Sequence, residues 1–283
     1  MKTKQFQKEF FDEQAVLYPW PNLLVKAGFT KNYKLRDVKF KEYLDLLGMK
    51  KGERVLDIGC GQGIFLARVV KTYQVDGCGV DISPNSIKAA KRWLSTWLHF
   101  RVADAAYLPF ANESFDHVFS FDFLEHINEQ KKVLAEMARV LKPGGGLLIY
   151  TINKNQRYTW NFCLNKLGVD VYRRVAHDSN LFLDPKELKK KLEKMGIGVE
   201  QLELFNSFFT LVFDEAIMLS LLIFRRWNFF GSSSSRHKVA VGQFFLKMAN
   251  FFSRFLLPPL EMLEIPWKKR GYSNSFFILG RKR

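Results

Sequence analysis

Between residues 37 and 205, short apolar runs alternate with stretches whose apolar positions recur every three or four residues. The runs read as buried strands, and the longer spacing as helices that cover them. Strands are predicted at 54–58, 75–81, 99–103, 115–121, 147–151, 199–205 and 273–279. Helices are predicted at 37–47, 64–72, 84–96, 129–141 and 185–195, with another at 5–15 in the polar N-terminal part. Punctuation agrees: Gly48 ends one helix, Pro84 opens another, and Asp184-Pro185 supplies a cap and a first-turn proline. Strand–helix alternation implies an α/β fold, a doubly wound, mostly parallel sheet of seven strands. The last two strands lack an ordinary crossover between them. The chain therefore divides into an N-terminal extension (1–36), a core (37–206 plus 271–283) and a helical insertion (207–270) placed before the last strand.

Inside the insertion the pattern changes. Of the 28 Phe residues, 12 fall between Phe205 and Phe255. Phe244, Phe245, Met248, Phe251, Phe252, Phe255 and Leu256 recur at helical spacing, interrupted by Lys247 and Arg254. The run 205–224 is long enough to cross a bilayer, but Asp214 and Glu215 near its middle would cost on the order of several kcal/mol there. Both ends of the insertion must also rejoin one sheet, so no membrane span is expected.

Charge sharpens this picture. The net charge is +16, and residues 151–283 hold 22 Lys and Arg against 11 Asp and Glu, so most of the excess lies in the C-terminal half. Basic pairs and triplets such as Arg225-Arg226 and Lys268-Lys269-Arg270 flank the apolar pieces. Two readings fit: an amphipathic dock on an anionic membrane surface, or a lid that packs its Phe face on the core. Nucleic acid is a poorer partner, because the Phe residues keep company with Leu, Ile and Met rather than forming stacking platforms in a basic groove. Cys60, Cys78 and Cys163 show no zinc or disulfide spacing, and the N-terminus has no apolar signal-peptide core. A cytoplasmic setting, peripheral to the membrane if the insertion docks, is the expectation.

The chemistry is signalled where the first strand turns into the first core helix, in Val55-Leu56-Asp57-Ile58-Gly59-Cys60-Gly61-Gln62-Gly63. Alternating glycines let the backbone approach a ligand, and the helix start favours an anionic group. The spacing departs from the G-x-G-x-x-G of dinucleotide sites. It closely resembles the first motif of class I S-adenosylmethionine-dependent methyltransferases. Later landmarks of that family fall in order: Gly79-Val80-Asp81-Ile82 at the end of the second strand, and Ala103-Asp104-Ala105 after the third. The resemblance implies that Asp81 takes the ribose hydroxyls and Asp104 the adenine amino group. It places the cofactor among Asp57, Gly59, Cys60, Gly61, Gly63, Asp81, Ile82, Asp104, Ala105 and Phe121.

Three further stretches narrow the resemblance. Leu124-Glu125-His126 follows the fourth strand, Thr151-Ile152-Asn153-Lys154-Asn155 the fifth, and His177-Asp178 precedes Phe182-Leu183-Asp184-Pro185-Lys186-Glu187-Leu188. The set is similar to the ubiquinone-biosynthesis O-methyltransferase branch, over about 37–205 and 271–282. It implies methyl transfer to a lipophilic or quinone-like acceptor, with Glu125 and His126 as catalytic candidates and His126 as the general base. The run Asp122-x-x-Glu125-His126 with His177 also resembles small-RNA and some quinone methyltransferases that hold a divalent ion, although Asp122 stands where those have Glu. An RNA, glycan or small-metabolite acceptor, or a non-catalytic scaffold of the same fold, are the competing readings.

Overall fold

The computed structural model describes residues 4–17, 35–93, 97–168, 178–213 and 255–283. Seven strands form one sheet: β1 (Arg54–Ile58), β2 (Asp76–Asp81), β3 (Leu98–Val102), β4 (Phe115–Phe121), β5 (Leu141–Ile152), β6 (Ile197–Phe205) and β7 (Ser275–Lys282), in the order β3-β2-β1-β4-β5-β7-β6. β1 to β5 run parallel, whereas β7 is antiparallel to both its neighbours, β5 and β6. Between them run α1 (Lys4–Leu17), α2 (Leu35–Leu47), α3 (Ile64–Tyr73), α4 (Pro84–Ala90), α5 (Gln130–Val140), α6 (Trp160–Lys166), α7 (Pro185–Lys194) and α8 (Ile265–Lys269). Strands β1 and β4 match their predicted limits. β5 begins earlier than predicted because Leu141 pairs with Phe115 before the glycine-rich stretch, with a register shift between Phe115 and His117. Helix α6, which the apolar spacing does not announce, starts at Thr159, whose hydroxyl accepts from the Phe162 amide.

Both faces of the sheet are covered, as its continuous apolar strands require. On one face Phe40, Tyr43 and Leu44 of α2 and Leu66 and Val69 of α3 pack on Phe119, Tyr150, Phe205 and Phe277. Tyr43 stacks on Phe277 at 4.5 Å, with the rings 4° from parallel. The other face takes Leu134 and Met137 of α5 and Leu188 and Leu192 of α7. Each such fully buried side chain contributes about 1.5–3 kcal/mol.

β6 ends, and β7 begins, at the sheet edge where β1, β2 and β4 also end. The insertion therefore leaves and returns on the side that bears the glycine loop. Its return is fastened by charge. Lys39 of α2 lies 3.0 Å from Glu203 of β6 and 3.5 Å from Glu261, and Lys268 of α8 sits 3.3 Å from the same Glu261. Burial opposes the Lys39 charge, but Glu203 and Glu261 outweigh it and hold the ammonium protonated. No helix among the described residues is long and apolar enough to cross a membrane. The Phe-rich stretch 214–254 lies outside the described residues.

Candidate functional site

β1 delivers the chain to Gly59, whose φ of 78° lies in the left-handed region. A Cβ there would come within 2.3 Å of the Phe123 ring, so the position is closed to other residues by sterics as well as backbone conformation. Gly61, at φ 50°, has no atom close to where its Cβ would stand, and its amide donates to Asp81 Oδ2 at 2.9 Å. α3 follows at once, and its cap Gly63 offers no side-chain acceptor to the first amides of the helix. Such a helix start is suited to an anionic group.

Asp81 ends β2. Its Oδ1 accepts from the Ser83 amide at 2.9 Å, and its Oδ2 takes the Gly61 amide. Burial raises its carboxyl above the ordinary range, and these amides act against that rise. A carboxylate has about four acceptor positions, so two remain for a pair of hydroxyls. Asp57, one strand away, is 2% exposed, and its Oδ2 has no hydrogen-bond partner. Burial first, then the nearby Asp81, push the Asp57 carboxyl well up.

Gly59 and Asp81 border a solvent-open cleft. Gly59, Asp81, Ile82, Asp104 and Ala105 line it, as expected; Val80, Ala103, Ala106, Phe123, Ile127, Asn128, Glu129 and Val133 complete it. The Asp104 carboxylate accepts from the Ala106 amide at 3.0 Å, which fixes the turn after β3. Cys60 is buried beneath the loop, its thiol donating to the Gly61 carbonyl at 3.7 Å. The Phe121 ring points elsewhere: it packs 4.3 Å from Phe65 and 4.8 Å from Phe40 on the α2 face. Vicinal hydroxyls suit this cleft through the acceptor positions that remain on Asp81, and the uncapped start of α3, next to the glycine loop, suits an anionic tail.

Past β4 the chain makes a short 3-10 turn, Leu124–His126. Glu125 is fully buried, accepts from the Thr151 hydroxyl at 2.7 Å, and keeps Oε1 without a hydrogen-bond partner. Burial, then the Asp122 charge, raise its carboxyl to about 8. His126 is 7% exposed, and its ring meets Phe11 edge-on at 5.1 Å. Asp122 adopts φ 49°, and its carboxylate pairs with Arg36 at 2.8 Å.

These partners bear on the divalent-ion set that the second resemblance offered. Among the described residues no group of His, Cys, Asp and Glu could hold a metal ion. Asp122 is turned to Arg36 and Glu125 to Thr151, so they do not converge with His126 on one point. His177, the fourth expected ligand, lies outside the described residues.

The N-terminal part is no mere extension. α1 crosses the site, where Asp12 accepts from the Ser83 hydroxyl and, at 3.1 Å, from the Asn85 amide at the start of α4. With Phe11 on His126, this helix bridges the cofactor wall and the candidate base. Sequence reasoning missed Arg36, Phe11 and Asp12. Apolar spacing marks helices but not which face a distant acid will meet.

Residues 56–149 match the methyltransferase domain family model. An O-methyltransferase of Pyrenophora dematioidea is 35% identical over 113 residues, covering 38% of this chain and 42% of that protein. The ubiquinone biosynthesis O-methyltransferase of Thiobacillus denitrificans is 29% identical over 168 residues, covering 56% of this chain and 71% of that one. The match thus spans less than half the length of the first of these relatives. Among solved structures, phosphoethanolamine N-methyltransferase 2 of Haemonchus contortus, in complex with S-adenosyl-L-methionine, superposes with a TM-score of 0.60 at 20% identity. It covers 87% of this chain and 52% of that one, and the likeness is one of fold.

Proposed function

We propose that this chain is a class I S-adenosylmethionine-dependent methyltransferase and that it methylates an oxygen atom of a lipophilic, quinone-like acceptor. The observation that carries the reading is the pairing of an intact cofactor wall with a histidine on the next turn. Asp81 ends β2 with both oxygens anchored by backbone amides, and His126 follows Phe123, which lines the same cleft and whose carbonyl accepts from the His126 amide at 2.9 Å. When bound, S-adenosylmethionine supplies a methyl group on a sulfonium centre, so transfer is an in-line displacement in which positioning does much of the work.

The residues then have distinct tasks. Asp81 holds the ribose hydroxyls, Ile82 and Ala105 flank the base, and the amides opening α3 receive the carboxylate. His126 takes the proton from the acceptor hydroxyl as the oxygen attacks. Glu125 is too deep to touch the acceptor; through Thr151 it ties the turn to β5 and so sets the height of His126. In His126→Ala, turnover falls by about 10²–10⁴-fold while S-adenosylmethionine affinity stays within about twofold. Calorimetry and single-turnover assays measure the two quantities, and normal turnover removes His126 from this role.

A second observation bears on how the acceptor arrives. In the described part of the insertion Phe255 is 71% exposed, Met262 69% and Leu263 54%, and Lys269 and Arg270, which follow in the chain, are also exposed. An apolar, basic-rimmed face at the sheet edge that bears the cleft suits the surface of an anionic bilayer, from which a lipophilic acceptor could pass to the site. The intact protein is expected to co-sediment with vesicles containing phosphatidylserine and to release them as salt rises. Binding equally to neutral vesicles, or to neither, sinks the docking and leaves the insertion as a lid.

A further inference from the structure

β6 leaves for the insertion through Asn206, on the same sheet edge as Asp122 but two strands beyond β5. The backbone there has φ 54°, a region in which Asn is one of the few tolerated side chains. Its carbonyl accepts from the Asn274 amide at 2.9 Å. The residue is 3% exposed; its amide nitrogen lies 3.5 Å from the Tyr150 hydroxyl, and its amide oxygen has no hydrogen-bond partner. Turning the amide over moves the deficit without curing it, since the nitrogen is then the end left over. Native folds rarely leave a buried amide half-satisfied unless a ligand or ordered water completes it.

The neighbours say what kind of group that would be. Tyr150 is buried, and burial keeps its phenol neutral across the ordinary pH range. The Arg36 guanidinium lies 5.8 Å from the centre of the Tyr150 ring, and its charge is already met by Asp122 at 2.8 Å. Polar groups thus run from Asp122, four residues before His126, through Arg36 and Tyr150 to Asn206. Aromatic rings pack around them, with Phe40 5.0 Å from the Tyr150 ring and Phe277 at 4.7 Å. An ammonium group would face the Arg36 charge, and a carboxylate would find that charge spent. The Ser275 and Arg36 side chains also hydrogen-bond the phenol, so the open position is on the amide. A hydroxyl or carbonyl fits, because it can complete either end of that amide.

We infer that Asn206 and Tyr150 form the polar end of the methyl-acceptor pocket, hydrogen-bonding a hydroxyl or carbonyl of a flat apolar acceptor at a distance from the atom that is methylated. The inference rests on the methyltransferase reading above. It makes the pair determinants of specificity, without a part in the methyl transfer itself.

The test uses the full chain loaded with S-adenosylhomocysteine and two probes, catechol and hydroquinone, with ethanolamine as the cationic control. Binding is followed by ligand-observed NMR, alongside Asn206→Gly and Tyr150→Phe. Glycine accepts φ 54° without strain, so Asn206→Gly deletes the amide and leaves the turn intact. Wild type is expected to take up at least one phenol and not ethanolamine. Each variant should weaken that phenol by about tenfold, the size of one lost hydrogen bond, while S-adenosylhomocysteine affinity stays within about twofold. The melting temperature of Asn206→Gly should match or exceed wild type, because an incompletely paired buried group has been removed. Undiminished phenol binding by both variants overturns the inference. So does a loaded wild type that takes neither phenol, or an Asn206→Gly that melts well below wild type, which marks the amide as structural. Failure of wild type to bind S-adenosylhomocysteine is a separate result: it refutes the methyltransferase reading and this inference falls with it.

Discussion

The residues of the site differ in how tightly their surroundings constrain them, and Glu125 is the extreme case. It has no exposed surface, one oxygen held by Thr151, and a carboxyl raised to about 8 by burial and by Asp122. The raised value means that the folded state binds a proton which the unfolded state has released at neutral pH. Stability therefore falls as pH rises through the window between the ordinary carboxyl range and about 8. Glu125→Gln keeps the acceptor for Thr151 and removes the titration. The variant should gain on wild type in melting temperature as pH rises from about 5 to about 9. Thermal unfolding across that range is the check, and parallel curves would mean that Glu125 ionises freely in the fold. Asp122 carries a different lesson. Its partner Arg36 lies 86 positions away in the chain, so no local pattern could have turned it from a metal ligand into half of an ion pair.

Among the elements, α1 changes meaning most between sequence and structure. Its 14 residues are polar on average and too few to be stable as an isolated helix in water, so its contacts must hold it. Those contacts are Asp12 on Ser83 and Asn85, and Phe11 on His126. The helix thus acts as a strap beside the cleft, tied to the start of α4 that follows Asp81 and to His126. Asp12→Ala should release the strap and speed dissociation of S-adenosylhomocysteine by about ten- to a hundredfold, the effect of losing hydrogen bonds to a charged acceptor worth about 1.5–3 kcal/mol. Stopped-flow displacement measures it, and an unchanged rate would show that the strap does not control cofactor exit. The core helices behave more simply. α7 starts where Asp184 accepts from the Lys186 and Glu187 amides, as its Asp-Pro signature predicts, and α4 starts at Pro84 with Ser83 as cap.

For the whole molecule, the insertion is the organising feature. Where it leaves β6, the amides of Ser207, Phe208 and Thr210 and the Thr210 hydroxyl all point at one buried carboxylate, that of Glu264 on the returning arm. Four donors on one acid join the outgoing and incoming arms at the sheet edge. Glu264→Leu leaves all four unpaired and should cost about 3–5 kcal/mol in thermal unfolding, whereas Glu264→Gln, which keeps one acceptor oxygen, should cost less. A leucine variant as stable as wild type would show that the arms are joined by other contacts.

Several features were legible in the sequence because they are local. Buried strands advertise themselves by apolar runs, and β1 and β4 fell where those runs lie. The glycine loop and the acids ending β2 and following β3 form motifs whose family resemblance implied that Gly59, Asp81 and Asp104 share one site, and all three line the cleft. The missing crossover between the sixth and seventh strands led to the expectation of an insertion at 207–270. Only the tertiary structure decided that β7 slots antiparallel between β5 and β6, that α1 returns beside the cleft, and that Asp122, Glu125 and Asn206 meet Arg36, Thr151 and Tyr150. Those outcomes depend on which distant side chains the closed sheet brings within hydrogen-bond reach. Periodicity records only which face of an element is apolar; it does not record which partner that face, or the polar residue at its end, will meet.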